Sequence, residues 1–450
     1  MAEIAPFCGL RYNLAKIPDL SKVVTPPYDV ISPDEQKAHH AASPYNMVHL
    51  ELGMAAPGDS EEDNPHTRAA RSLKKWQEEG ALVHDAEPAI YYYEVDYPLP
   101  GGDRRKRYGF ICLLKLEEFR AGGVRPHEKT FQAVKDERLR LMLACDANLS
   151  PVFALYPDPE QVVDRWMEPV MQFGAAFHFV DERGMEHKLW PVRDKSIVEQ
   201  VRDFLLDKSL FIADGHHRYE TALNYRNIQR ARHPELGPRA HYEYIMVYLA
   251  NMNQRGLTIL PTHRLLRGLG EEALRGFLKK AEAFFNVSSY DADGAGESAW
   301  RRDLDAAGAR KEATIGYCRR GERSLHLLIA RKEEVSSHLR ERGFADAVHQ
   351  LDVVVLDQLI LRGFLNLSEA FLADHGNITF ERGMDESLAQ VRSGAFDAGF
   401  ILNPTRIEQV QEVAGAGLVM PHKSTYFYPK VLSGMAIHHP LTSKDETIWW

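Results

Sequence analysis

Strand-like and helix-like patterns of apolar positions follow one another through the first half of the chain. The stretch "AIYYYEVDYPLPGGDRRKRYGFICLLKLEEF" has aromatic and β-branched residues on both sides of a Gly-Gly pair, which predicts two strands joined by a turn. "RAARSLKKWQEEGAL" has helical spacing and is closed by Gly80, so it predicts a helix. "ERLRLMLACDANLSPVFALY" predicts a helix, a break at Ser-Pro and then a strand. "EYIMVYLANM" predicts a further buried strand.

The pattern changes after "PTHRLLRGLG". "EEALRGFLKKAEAFF" and "LDVVVLDQLILRGFL" predict helices, and "ATIGYCRRGERSLHLLIA" predicts a hairpin. "AFDAGFILNPTRIEQVQEVAGAG" predicts a buried strand followed by a helix with Asn403 as its N-cap and Pro404 at its first position. Strands that alternate with helices indicate an α/β fold of the mixed α+β kind. We therefore expect two α/β domains, an N-terminal one over 1–265 and a C-terminal one over 266–450.

Composition narrows the class of protein. The chain has 450 residues, 44% of them hydrophobic and 26% charged, as is ordinary for a globular protein. A net charge of −9 disfavours a protein built chiefly to hold nucleic acid. The four cysteines are scattered and form no Cys-x-x-Cys pair, which disfavours a disulfide framework or a structural zinc site. The apolar runs are short or broken by charge and no signal peptide is evident, so we expect a soluble, cytoplasmic protein that has no membrane partner.

The stretch "FIADGHHRYETALNY" carries the strongest chemical signal. A short apolar run ends at Asp214, Gly215 supplies a turn, and the residues from His216 onward suit a helix. This order predicts a strand, a tight turn and a helix, with Asp214 at the N-cap and His216, His217 and Arg218 on the first helical turn.

Three potential cations at a helix N-terminus predict an anion site. The helix dipole makes cations unfavourable there unless a negative group offsets them, and unpaired N–H groups already favour phosphate. The guanidinium group of Arg218 adds two parallel N–H donors that can bind two phosphate oxygens. We therefore expect Arg218→Ala to weaken nucleotide affinity or turnover about ten- to a hundredfold, while the melting temperature of the ligand-free protein stays the same or rises. The alternative is a local pair between Asp214 and Arg218 beside two partly exposed histidines.

A second polar cluster is "VRPHEKTF". Glu128 or His127 could act as a general base there, and Lys129 could hold a phosphate. The segment is not the His-Glu-x-x-His zinc signature, because Phe131 stands where the second histidine belongs. A polar surface loop is the alternative.

A third cluster is "VMPHKSTYFYPK". It is not a phosphate loop, because His422 replaces the second glycine and Pro421 stiffens the turn. Lys423 and Ser424, with Thr425 and Lys430, could still hold the anionic end of a ligand. Packing by an aromatic-rich segment is the alternative.

These motifs carry two resemblances. The first is to the domain-of-unknown-function family numbered one thousand and fifteen, a large bacterial family. The chain resembles it, in order, at "KVVTPPYDVIS", "SPYNMVHLELG", "RPHEKTF", "IADGHHRYETALNYR" and "MPHKSTYFYPK".

The second resemblance is more distant. "IADGHHRYETAL" is similar to the strand-turn-helix element of the ParB and sulfiredoxin-like superfamily. That resemblance implies a ParB/sulfiredoxin-like core elaborated by further segments. It also implies nucleotide-phosphate binding at Asp214, Gly215, His216, His217 and Arg218. An archaeal branch is a nucleotide-dependent kinase of free serine with an upstream glutamate as base, for which Glu128 is the candidate.

Together the residues and the resemblances predict phosphoryl transfer between a nucleotide and a small hydroxylated metabolite, with free serine or O-phosphoserine as the best candidate. ATP or ADP and Mg²⁺ are the expected cofactors, with Asp214 as the predicted metal ligand and His217 as a neutralising group. One alternative is a ParB-like module that binds nucleotide or nucleic acid, or a nuclease. Another is a metal-dependent hydrolase that uses His127, Glu128, His216 and His217.

Overall fold

The computed structural model describes residues 2–99, 102–374 and 376–440. Contacts among these residues divide the chain into two compact units. The first unit comprises 2–126, 130–258 and 429–440, and the second comprises 127–129 and 259–428. Both units mix helices with strands, as the sequence predicts.

The units are not the contiguous domains 1–265 and 266–450 that the sequence predicts, because two short segments pair away from their neighbours in the chain. Met420 donates its backbone N–H to the carbonyl of His127 at 2.8 Å, which ties 127–129 into the second unit. Ser433 pairs with Thr25 in the first unit through their backbones. Backbone pairing of this kind leaves no signal in local periodicity.

The first unit contains both strands and helices of moderate length. Its strands are β1 (Ile4–Ala5), β2 (Leu10–Tyr12), β3 (Leu82–His84), β4 (Ile90–Pro98), β5 (Arg104–Lys115), β6 (Val124–Arg125), β7 (Val152–Tyr156), β8 (Phe177–Val180), β9 (Glu186–Val192), β10 (Leu210–Asp214) and β11 (Tyr244–Asn251). Its α-helices are α1 (Pro33–Ala42), α2 (Val48–Glu51), α3 (Pro65–Glu78), α4 (Gln132–Cys145), α5 (Val162–Met171), α6 (Lys195–Leu205) and α7 (His216–Arg232). Short 3₁₀ helices lie at Leu20–Lys22, Tyr28–Val30, Phe119–Ala121 and His241–Glu243.

One large sheet organises this unit. Within the described residues nine strands join in the order β6-β10-β7-β11-β5-β4-β9-β8, with β1 beside β5. The β10–β6 and β11–β7 pairs are parallel and the other pairs are antiparallel. Alternate residues of β5 (Phe110, Cys112 and Leu114) enter a core that helices α5, α6 and α7 also fill. This two-residue period on the strand is what buries one face of a sheet, and it fixes α7 against the sheet.

The second unit is built on an antiparallel sheet. Its strands are β12 (Thr258–Leu260), β13 (His263–Leu266), β14 (Phe285–Asp291), β15 (Thr314–Arg319), β16 (Ser324–Ala330), β17 (Ile378–Glu381), β18 (Ala398–Leu402) and β19 (Tyr426–Tyr428). Its helices are α8 (Glu271–Arg275), α9 (Phe277–Ala281), α10 (Gly294–Ala309), α11 (Lys332–Glu341), α12 (Asp352–Val355), a π-helix (Leu356–Phe364), α13 (Glu369–Ala373), α14 (Met384–Arg392), α15 (Ile407–Gly415) and a 3₁₀ turn (Asp346–Val348). Among the described strands six pair in the order β14-β16-β15-β18-β13-β17. Trp300 of α10 and Leu388 of α14 pack into the core of this sheet.

Two predicted helix boundaries are wrong. The single helix predicted over "EEALRGFLKKAEAFF" is two short helices, α8 and α9, that meet at Gly276. The helix after β18 begins at Ile407 rather than at Pro404. Asn403 donates its side-chain N–H to Leu304 O instead of capping, and Arg406 takes the N-cap position through its bond to Gln409. Contacts with α10 therefore override the local Asn-Pro signal.

The structure also bears on two expectations drawn from composition. No disulfide joins the four cysteines, all of which lie among the described residues. In the described ranges no helix has both the length and the apolar character needed to cross a membrane.

The second unit contains an acid that predicts a pH-dependent stability. Desolvation raises the pKa of Asp352 to about 7, although its carboxylate accepts the Thr314 N–H at 3.1 Å. Between about pH 4 and pH 7 the folded state then holds a proton that the unfolded state has lost, so stability falls as pH rises through this window. We expect Asp352→Asn to flatten this fall in melting temperature between pH 5 and pH 8. Asp305→Asn, at an exposed position, serves as the control. The expectation would be contradicted if the melting temperatures of the unmodified protein and both variants changed with pH in parallel.

Candidate functional site

The predicted strand, turn and helix at the central motif are confirmed. Strand β10 ends at Asp214 and helix α7 begins at His216, so His216, His217 and Arg218 lie on its first turn. The N-cap is Gly215 rather than the predicted Asp214, and it has no side chain to cap the helix. No acidic residue lies in that first turn either. The 17-residue helix therefore presents its positive dipole end without a local carboxylate on its own first turn.

Glycine is required at position 215 for two reasons. Its φ of +87° lies in the left-handed region, which side-chain-bearing residues rarely adopt. A Cβ at this position would also lie 2.8 Å from the Nε atom of Arg218. The turn therefore lets the backbone lie directly against the guanidinium group.

The Asp214 carboxylate lies between two cations. Arg218 donates to its Oδ2 at 2.6 Å, and Lys430 donates to its Oδ1. All three side chains are about nine-tenths buried. Burial opposes ionisation of Asp214, but the charges of Lys430 and Arg218 outweigh it and hold the pKa of this carboxyl below its usual value. The carboxylate is therefore charged at neutral pH.

The local pair between Asp214 and Arg218, which the sequence offered as the alternative to an anion site, is present. Arg218 also donates to the carbonyl of Pro151 and, at 3.3 Å, to the hydroxyl of Ser150. Its terminal nitrogens thus bind groups of the protein itself. Direct phosphate binding by Arg218, as by Gly215 and His216, stays a prediction.

The two histidines of the motif differ in exposure. His216 is buried, with 4% of its surface exposed, whereas His217 is half-buried. His217 accepts the backbone N–H of Phe131 at its Nε2 atom over 2.9 Å, and the two rings stack with centroids 6.0 Å apart. This bond places the proton of the neutral imidazole on Nδ1 and orients the ring. His217 is thus the more accessible candidate for binding a ligand.

The second unit holds the predicted base. The Glu128 carboxylate lies 2.8 Å from Nδ1 of His422 and accepts the backbone N–H of Lys423 at 3.3 Å. Lys423 has a φ of +58°, which turns its N–H toward the carboxylate. Arg264, which is buried, donates to the carbonyl of Lys423 at 3.0 Å. Glu128 is therefore a half-buried and oriented carboxylate.

The other residues predicted from these two clusters have different surroundings. His127 is fully buried, and its Nε2 lies 2.9 Å from the hydroxyl of Thr425. Ser424 is buried and donates to the carbonyl of Pro421. Lys129 is exposed. The geometry thus brings Glu128 and Lys423 together and gives the side chains of His127 and Ser424 partners within the protein, so their functional roles stay predictions.

A metal site finds little support in these contacts. Both carboxylate oxygens of Asp214 already accept hydrogen bonds from cations, so a metal ion would have to displace Arg218 or Lys430. Among the described residues no cluster of three or more histidines, cysteines and acids could hold a metal ion. The role of Asp214 as a metal ligand therefore stays a prediction, one that requires a metal ion to displace one of these two cations.

Sequence reasoning did not single out the partner that completes the motif. The sequence assigns Lys430 only to a loop that could hold a ligand, yet this lysine donates a hydrogen bond to Asp214, 216 positions away in the chain. No local signal could have paired them, because the contact depends on the return of the chain to the first unit after Pro429.

The buried pair changes the expected result for Arg218→Ala. Removing one partner of a buried ion pair costs about 3–5 kcal/mol, and this exceeds the small dipole benefit of losing a cation. Lys430 still neutralises Asp214, so we expect a loss toward the lower end, measured as a drop in the melting temperature of the ligand-free protein. Arg71→Ala, which removes an arginine that is 63% exposed, serves as control. An unchanged melting temperature for Arg218→Ala would restore the prediction made from the sequence.

Comparisons with known proteins give one family and several distant structures. A "Free serine kinase in complex with AMP" is 13% identical with a TM-score of 0.31, over 68% of this chain and 83% of that chain. A "Conserved hypothetical protein from Pyrococcus furiosus" is 11% identical with a TM-score of 0.31, over 69% and 89%. "SbnI with C-terminal truncation from Staphylococcus aureus" is 11% identical with a TM-score of 0.32, over 72% and 86%. Similarity at this level assigns no activity to the chain.

The family itself is settled by a match over most of the chain. No curated protein matches. The family model described as "Protein of unknown function (DUF1015)" matches residues 4–354, in agreement with the resemblance drawn from the motifs. The chain belongs to this family.

Proposed function

We propose that the protein transfers a phosphoryl group between a nucleotide, ATP or ADP, and a small hydroxylated metabolite, with free serine as the first candidate. The observation that carries the proposal is the start of α7. Gly215 leaves this long helix without a side-chain cap, directly after a buried strand, and its first turn holds two histidines, an arginine and no acid. Backbone N–H groups at such a helix end favour a phosphate group.

The side chains around this turn suit a phosphate better than a neutral ligand. Lys430 and Arg218 place two cations against the single carboxylate of Asp214. His217 is half-buried and held in one orientation by Phe131. In the proposed role, Asp214 and Arg218 position the turn at Gly215. His217 and the backbone N–H groups at the start of α7 then bind the phosphate oxygens. Positive groups that are already in position before the reaction stabilise the negative charge that develops on the phosphoryl group during transfer.

The chemistry requires little covalent participation from the protein. The bond between the terminal phosphorus and the bridging oxygen of the nucleotide breaks, and a new bond forms between that phosphorus and the substrate hydroxyl oxygen. The hydroxyl proton passes to a base, for which we propose Glu128. Its carboxylate is oriented by the Lys423 N–H and by His422. In the reverse direction the phosphoryl group of O-phosphoserine passes to the terminal phosphate oxygen of the product nucleotide, and the proton held by Glu128 returns to the serine hydroxyl oxygen.

The proposal predicts a product that can be detected directly. The purified protein, incubated with free serine and with ATP or ADP in the presence of Mg²⁺, should form O-phosphoserine, measured by mass spectrometry. Glu128→Gln should lower kcat by about 10²- to 10⁴-fold, because it removes the general base, while nucleotide affinity changes little.

Glu312→Gln serves as the matched control, because its carboxylate pairs with Arg310 on the surface. Failure of both nucleotides to bind, or equal turnover by Glu128→Gln and the unmodified protein, would contradict the proposal. DNA binding that weakens steeply with added salt would favour the ParB-like alternative instead.

A further inference from the structure

A small cavity lies beside Arg218 within the first unit, and the sequence motifs did not point to it. Its polar lining includes Tyr28, Glu51, Arg138, Ser150, Arg218 and Thr221. Five separate stretches of the chain supply these residues: the turn after the double proline, the end of α2, helix α4, the segment at Ser150 and helix α7. Since Arg218 contacts both Ser150 and Asp214, it connects the cavity with the proposed phosphate site.

The cavity carries both signs of charge. Arg138 pairs with Glu137, donates to the Glu51 carbonyl at 2.8 Å and lies 4.1 Å from the centre of the Tyr28 ring. Arg218 pairs with Asp214. The Glu51 carboxylate, only 3% exposed, accepts a hydrogen bond from the hydroxyl of Ser433 at 3.0 Å. Arg138 thus has a carboxylate of its own, whereas Arg218 shares the single carboxylate of Asp214 with Lys430. The Glu51 carboxylate accepts a hydrogen bond from a neutral hydroxyl.

The hydroxyl group of one lining residue has no hydrogen-bond partner among the described residues. Thr221 is fully buried, yet its Oγ1 atom makes no hydrogen bond to any described residue. It lies one turn after Arg218 on α7, and both line the cavity. An unsatisfied buried hydroxyl destabilises a protein, and each such group in a native structure calls for an explanation. A polar ligand in the cavity would supply the partner.

The volume limits the size of that ligand. The cavity measures about 40 Å³, whereas a site that holds a single buried water needs roughly 10–15 Å³. The space therefore suits a compact molecule no larger than a small amino acid. The nucleotide does not fit and must bind elsewhere.

We propose that this cavity binds a small zwitterionic α-amino acid, with its ammonium group on Glu51 and its carboxylate toward Thr221, Tyr28 and the two arginines. A simple cation would meet two guanidinium groups and a simple anion would meet the Glu51 carboxylate, so a molecule with both charges is the best match. Burial raises the pKa of Tyr28 above its usual value, which keeps its hydroxyl protonated as a donor. The identification of this amino acid as the phosphoryl acceptor rests on the proposed function.

The first test uses three ligands that differ by one charged group. L-serine carries both charges, ethanolamine lacks its carboxylate, and glycerate has a hydroxyl in place of its ammonium. Without nucleotide, we expect L-serine to raise the melting temperature and to bind in calorimetry, while the other two bind at least about tenfold more weakly, as the loss of a charge-assisted contact implies. Equal binding of all three, or binding of none, would overturn the proposal.

The second test uses Thr221→Val, which removes the hydroxyl and keeps the shape. The unliganded protein should melt at the same or a higher temperature, because the hydroxyl has no protein partner, while L-serine affinity falls about three- to tenfold. Thr25→Val is the matched control, because Thr25 is also fully buried with an unpartnered hydroxyl but does not line the cavity. Equal L-serine affinity for the two variants would count against the proposal.

A parallel titration with ATP and ADP separates the two proposals. A response to nucleotide without any response to L-serine would overturn the amino-acid cavity and leave phosphoryl transfer to another metabolite standing. A response to L-serine alone would support the cavity and overturn the proposed function.

Discussion

The first unit depends on a buried carboxylate that cannot remain charged without compensation. Asp214 lies at the end of β10, where the sheet and α7 exclude most water, and an uncompensated charge there would be strongly unfavourable. One carboxylate oxygen binds Arg218, four residues further along the chain, and the other binds Lys430, 216 residues further along. The two contacts fix the turn at Gly215 and bind the segment 429–440 to the rest of the first unit.

Several features of the site follow from this arrangement. Because the Arg218 guanidinium lies against the backbone of Gly215, only glycine fits at the turn, and without a side-chain cap the helix end stays available to an anion. The same guanidinium reaches Ser150, so the position of Asp214 and the shape of the neighbouring cavity are set together. The buried pair thus positions two proposed binding sites, one for phosphate and one for an amino acid.

The second unit contains an oriented acid of its own. The Glu128 carboxylate takes the Lys423 N–H, and the carbonyl of Lys423 is held by the buried Arg264. Burial and the low polarity around it lower the pKa of Arg264 to about 10, so it remains protonated at neutral pH. Two motifs that lie nearly 300 positions apart, at Glu128 and at Lys423, therefore form one local structure. This pairing is what gives the proposed base a defined direction.

The sequence by itself determined the elements whose patterns are local. The β4–β5 hairpin, the β15–β16 hairpin and the first turn of α7 follow from apolar periodicity, glycine turns and the order of residues in one stretch. Family membership followed in the same way from several motifs in order. Tertiary structure decided which distant residues met. The bond of Lys430 to Asp214, the pairing of 127–129 with Met420 and the cavity formed by Tyr28, Glu51 and Arg138 join segments far apart in the chain. Local periodicity carries no information about such contacts, because they depend on how burial and charge compensation are satisfied in the whole fold.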